Sequence, residues 1–239
     1  MNNVLLYFSL KYKGDWEKVY EALEKKEKIT NAELKKIESK IDCNYLTIID
    51  QYYPVNLKYS YKPPFLLYTQ GDLGLLKNYS QTIGIDIETT YDEDGVNNTS
   101  EIINNLIKEN KTIVSGFATM SEKSVVQTAI DHNSKIIIVV EEGIENFKDS
   151  NQELMKKMEQ SKNWLVVSES YQNNQLNETT SEYVLRLKVG LTKTLVCINN
   201  SLFNEKKVDD LKYDAFQQQK LKEKSLKNQS KNNEWENEI

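Results

Sequence analysis

Small and polar residues stand at the ends of three apolar runs, at Gly84, at Ser115-Gly116-Phe117-Ala118 and at Ser168-Glu169. A glycine between a buried strand and a capped helix lets another backbone or an anion approach closely, and the free N–H groups of a helix N-terminus favour phosphate or carboxylate. Gly116 would equally serve a tight strand-to-helix turn, so spacing alone leaves both uses open. Arg186, the only arginine, stands two residues before Lys188. Side chains two apart on a helix point to different faces, so this pair cannot grip one phosphate from the helix body. Both charges also suit a solvated helix C-terminus.

Two other patterns could carry chemistry. Asp86-Ile87-Glu88 puts two carboxylates on one face of a strand, similar to the first motif of DEDD-type 3′–5′ exonucleases, in which such a pair holds metal ions for phosphodiester hydrolysis. That chemistry needs further carboxylates and a base, and neither an Asn-x-x-x-Asp nor a His-x-Ala-x-x-Asp pattern follows; the alternative is an acidic loop running on through Asp92, Glu93 and Asp94. Tyr52, Tyr53, Tyr59, Tyr61 and Tyr68 interleave with Lys58 and Lys62, a composition that suits stacked bases and phosphates or packing between two units, of which packing is the preferred reading. His132, the only histidine, reads as a helix-end or turn residue. No Gly-x-Gly-x-x-Gly or Gly-x-x-x-x-Gly-Lys-Ser/Thr loop occurs, and no nucleophile stands in a recognisable pattern with a base. No catalytic activity, cofactor or metal is therefore expected.

The elements that must position these residues follow from the pattern of the chain. Its 239 residues suffice for one core without disulfides. The net charge of −5 disfavours general association with polyanions, so any nucleic-acid site must be a local patch. Val4–Leu10 is far shorter than the roughly 20 apolar residues of a bilayer crossing and reads as a buried helix start. Cys43 and Cys197 lack CxxC partners and read as buried thiols of a reducing, cytoplasmic compartment. Helical spacing over Asp15–Lys28 and a capping box at Thr30 and Glu33 predict a helical unit over residues 1–50. Strands are expected at Phe65–Tyr68, Thr82–Ile87, Thr112–Ser115, Ile136–Val140, Trp164–Ser168 and Thr194–Ile198. Cap signals at Thr99/Ser100, Thr119, Ser150 and Thr179 open helices between the later strands. Alternating strands and helices make an α/β fold, a Rossmann-like, doubly wound and mainly parallel sheet over residues 51–204. Residues 205–239 are expected to form one docked helix, drawing on Val208, Leu211, Tyr213 and Phe216, and a polar tail.

One resemblance orders these observations. Tyr53-Pro54, Pro63-Pro64-Phe65-Leu66-Leu67-Tyr68, Gly71-Asp72-Leu73, Ile83-Gly84, Ile113-Val114-Ser115-Gly116-Phe117-Ala118, Gly143-Ile144 and Val167-Ser168-Glu169 follow one another as in the DNA-processing protein A (DprA/Smf) family, over residues 45 to 202. The resemblance implies an extended Rossmann fold that binds single-stranded DNA, a homodimer, and a RecA-type recombinase as partner in transformation and recombination. It places a DNA-binding site at Gly84, Thr89, Ser115, Gly116, Ser168, Arg186, Lys188 and Ser201. Departures are visible: Ile85-Asp86 stand where the family has Ser-Arg, Met120-Ser121-Glu122 where it has Gly-Ile-Asp, and Arg186-Leu187-Lys188 where it has Arg-Asn-Arg. A degenerate paralogue acting only through protein partners is the alternative that these departures suggest.

Overall fold

The computed structural model describes residues 2–87, 93–172, 178–199 and 202–207. Eight strands form one sheet: β1 (Asn44–Thr47), β2 (Leu66–Gly71), β3 (Thr82–Ile87), β4 (Thr112–Ser115), β5 (Ile136–Val139), β6 (Trp164–Ser168), β7 (Thr194–Asn199) and β8 (Leu202–Lys207), in the order β1-β2-β6-β5-β4-β3-β7-β8. The five central strands, from β6 to β7, are parallel. Antiparallel strands extend both edges, β2 on β6 with β1 outside it, and β8 on β7.

Helices α5 (Glu93–Lys108), α6 (Met120–Asp131), α7 (Ile144–Ser150), α8 (Gln152–Met158) and α9 (Glu178–Leu191) connect the parallel strands. Alternation along each strand feeds two cores, as a sheet buried on both faces requires. Ile85, Ile113, Ile136, Ile138 and Val166 meet α5 to α8 on one face. On the other, Val114, Ile137, Val139, Leu165 and Val167 meet α9 and the short helix α4 (Val55–Lys58). The expected doubly wound, mainly parallel sheet is thus what the chain forms.

The N-terminal helices α1 (Asn2–Lys11), α2 (Trp16–Glu24) and α3 (Asn31–Lys36) form as read, with the Thr30–Glu33 capping box in place. Phe8, Val19 and Ala22 join α1 to α2, while Leu6 enters the main core and Ser9 accepts a hydrogen bond from the buried Tyr68 hydroxyl at 3.0 Å. Residues 1–50 are not wholly helical, however. Asn44–Thr47 pairs with β2, and its burial begins only at Leu46, so a four-residue strand left little periodicity to read.

Three cap assignments differ from expectation. Ser150 ends α7 instead of opening α8, whose cap residue Asn151 makes no side-chain cap bond. Thr99/Ser100 and Thr179 lie inside α5 and α9, which begin earlier, at Glu93 and Glu178. Beyond residue 201, β8 adds a strand where none was expected. The docked helix assigned to Val208–Phe216, and the tail after it, lie outside the described residues.

Candidate functional site at the strand ends

The carboxyl ends of β3, β4, β5 and β6 form one rim, and β3 is flanked by β4 on one side and β7 on the other. That reversal of strand order is where open α/β sheets hold ligands. Asp86 near the end of β3, Ser115-Gly116 at the end of β4, Glu141 and Glu142 after β5, and Ser168-Glu169 at the end of β6 all lie there.

Helix α6 begins directly behind Gly116, capped by Thr119 in a reciprocal box with Glu122. The Glu122 carboxylate accepts the backbone N–H of Ala118 at 3.0 Å and of Thr119 at 3.2 Å. It fills the place that an anionic ligand would take at a helix N-terminus. Gly116 makes this possible, because a Cβ there would lie 2.2 Å from Glu122 Oε1. Lys188 closes the arrangement from α9. Its side chain is 4% exposed, and its ammonium donates to Asp86 at 2.5 Å and to Glu122 at 3.1 Å. Burial alone would lower the Lys188 pKa, but Asp86 and Glu122 outweigh it and leave the pKa raised. Glu141 lies close to this group, and its pKa is raised by burial and then by Glu122 and Glu142.

Arg186 points elsewhere, as two-residue spacing on a helix requires. Its guanidinium donates to the carbonyls of Tyr61 and Lys62 and, at 2.5 Å, to the buried carboxylate of Glu169. Burial raises the Glu169 pKa, with Arg186 opposing the rise. Glu169 Oε1 and Arg186 Nε are buried without hydrogen-bond partners, so this pair is incompletely satisfied. The rim therefore gathers Asp86, Glu122, Glu141, Glu142 and Glu169 around Lys188 and Arg186, with Lys123 outside them, 5.4 Å over the Phe117 ring.

The remaining site residues are mainly structural in their surroundings. Gly84 is buried where α9 turns into β7, and a Cβ there would lie 2.6 Å from Leu195 and 2.8 Å from Thr192. Ser168 Oγ donates to the Val140 carbonyl at 2.9 Å and accepts the Ser170 N–H at 3.2 Å, joining two strand ends. Ser115 is fully buried, with its hydroxyl unpartnered. Thr89 and Ser201 lie outside the described residues, as does Glu88 of the Asp86-Ile87-Glu88 pair. His132 caps the end of α6, with Nδ1 2.8 Å from the Thr128 carbonyl. Asp86, Glu122 and Lys188 were not joined by the sequence reading, because residues 86, 122 and 188 meet only through the sheet order. The signal that could have joined them is the exchange of a cation for Asp86, which demands a new cation nearby.

The model of the DNA recombination-mediator protein A family matches residues 44–202, about two thirds of the chain. The chain belongs to this family. The resemblance read from residues 45 to 202 is thereby confirmed, and DNA recombination-mediator protein A membership assigns the chain to DNA processing. Two solved members share its fold. DNA processing protein A from Streptococcus pneumoniae is 22% identical, with a TM-score of 0.60 over 82% of this chain and 72% of that one. The Helicobacter pylori protein, whose structure addresses a single-stranded DNA binding mode, is 19% identical, with a TM-score of 0.50 over 66% of this chain and 70% of that one. No curated protein matches the chain at significance. Among the described residues no helix is long and apolar enough to cross a membrane.

Proposed function

We propose that this chain is a non-enzymatic, cytoplasmic DNA-processing protein that binds single-stranded DNA and acts, as a homodimer, with a RecA-type recombinase in recombination and transformation. The observation that carries this reading is the family match across the sheet, from β1 to the start of β8. The test is a titration of labelled oligo-dT against duplex DNA across ionic strength. Preferential binding of the single strand that weakens linearly with the logarithm of salt is the expected result, since phosphate contacts release counterions. No association at low salt would refute it.

A second reading has its own support. Glu122 fills the helix N-terminus and Lys188 is held by two carboxylates, which favours a family member that keeps its protein partner and has lost DNA. That reading expects a dimer or a recombinase complex by size-exclusion chromatography and no shift of oligo-dT. The exonuclease reading has no comparable support, because Asp86 is engaged by Lys188.

A further inference from the structure

The aromatic and lysine-rich segment around α4 divides sharply between core and surface. Tyr53 and Leu57 are buried, and the Tyr53 hydroxyl donates to the Pro64 carbonyl at 2.7 Å. Packing explains these residues and Tyr68, but not their neighbours. Tyr59 is 84% exposed, Val55 62%, Tyr52 58% and Ile49 54%. Two tyrosines and two aliphatic side chains within eleven positions are thus presented to solvent by a segment anchored through its other side. The Lys77 ammonium lies 5.3 Å from the Tyr52 ring centroid, and Lys58, beside Tyr59, lies 5.8 Å from that of Tyr53.

Charge distinguishes this surface from the rim. From Gln51 to Ile85 the chain holds Lys58, Lys62 and Lys77 and a single acid, Asp72, although acids outnumber bases 36 to 31 overall; Lys62 is ion-paired with Glu17 of α2, which leaves Lys58 and Lys77. The adjoining half-buried carboxylate of Asp50 accepts from Thr47 Oγ1 at 2.8 Å and Asn2 at 3.0 Å and also feels the Lys58 charge, so Lys58 has one acid near it. Exposed aromatic rings with lysines in the same acid-poor segment, one of them over the Tyr52 ring, offer faces for bases and cations for the backbone joining them.

We infer that single-stranded nucleic acid is bound on the exposed face of the α4 segment, with bases stacked on Tyr52 and Tyr59 and phosphates held by Lys58 and Lys77, and not on the strand-end rim. This inference rests on the single-strand reading above and gives it a surface. All four side chains can be changed without disturbing the core, which is held by Tyr53 and Leu57.

The experiment measures oligo-dT anisotropy for the full chain and for the Tyr52→Ala/Tyr59→Ala and Lys58→Glu/Lys77→Glu variants. Removal of each stacking ring is expected to weaken binding roughly tenfold. Loss of the two lysine contacts is expected to flatten the logarithmic salt slope by about 0.7 for each phosphate released. If the full chain binds and both variants bind equally well, the surface assignment is overturned while the single-strand reading stands. The assignment is also overturned if the variants change only the oligomeric state, which would make this face a protein interface. If the full chain does not bind at low salt, the single-strand reading fails and this inference with it.

Discussion

Lys188 has exchanged solvent for two carboxylates, and the balance of that exchange is measurable. Its removal leaves Glu122 and Asp86 facing each other at the rim, and breaking a buried pair in this way costs about 3 kcal/mol or more. Asp86 is 32% exposed in its side chain, which places the expected loss for Lys188→Met at the low end of that range, read by urea unfolding. Because the folded Lys188 pKa lies above the ordinary 10.5, its contribution is fully present below that value and disappears as pH rises through the folded pKa. The difference between the variant and the unmodified chain should therefore stay constant around neutrality and shrink only in strong alkali. Arg186→Ala makes the opposite test. The Glu169 pKa is raised above 4.5 by burial even with Arg186 beside it, so the folded state holds this proton more tightly than the unfolded chain does. Stability associated with Glu169 is thus present below 4.5 and declines as pH rises through the folded value. Without Arg186 that value rises further, so the variant should lose about 3–5 kcal/mol at neutral pH and distinctly less in acid. Equal losses at both would show that Arg186 stabilises through the Tyr61 and Lys62 carbonyls and packing, and not through Glu169.

Helix α6 shows how one element can both build and occupy a binding position. Thr119, Glu122 and Gly116 cooperate: the threonine caps, the glutamate turns back onto the Ala118 and Thr119 N–H groups, and the glycine leaves the room. Thr119→Ala should cost about 1 kcal/mol, the usual worth of such a cap. Gly116→Ala should cost more, because the added methyl displaces the Glu122 carboxylate from the N–H groups and from Lys188 together. Amide exchange at Ala118 and Thr119 checks this, faster exchange in Gly116→Ala being expected and unchanged protection contradicting it. The Thr119–Glu122 box was legible from type and spacing, since it depends on neighbours in sequence, and the alternation of strands and helices implied the parallel sheet; Gly116 was singled out, but for a turn or a ligand and not for the Glu122 carboxylate it leaves room for. What joins Glu122 to the rest of the rim was not legible, because Lys188 reaches Glu122 across 66 positions and Asp86 across 102. Strands β1 and β8 were missed for a related reason. Short edge strands take their stability from a partner already in place, and carry little pattern of their own.

At the scale of the whole molecule, charge is distributed so that two surfaces have different capacities. The strand-end rim concentrates carboxylates and holds its two principal cations in internal ion pairs. The α4 surface exposes rings, one of them beneath the Lys77 ammonium, in a segment from Gln51 to Ile85 that carries a single acid. With a net charge of −5, long-range steering of a polyanion is weak, and contact must depend on such a local patch. Family membership by itself would direct attention to the rim; the ion pairs there and the tyrosines elsewhere direct it to α4. Ultraviolet crosslinking of oligo-dT to the full chain, with the attached peptides identified by mass spectrometry, compares the two surfaces directly. Crosslinks concentrated on the peptides carrying Tyr52 and Tyr59 are the predicted result, and crosslinks concentrated on those carrying Ser115–Glu122 or Arg186–Lys188 would contradict it.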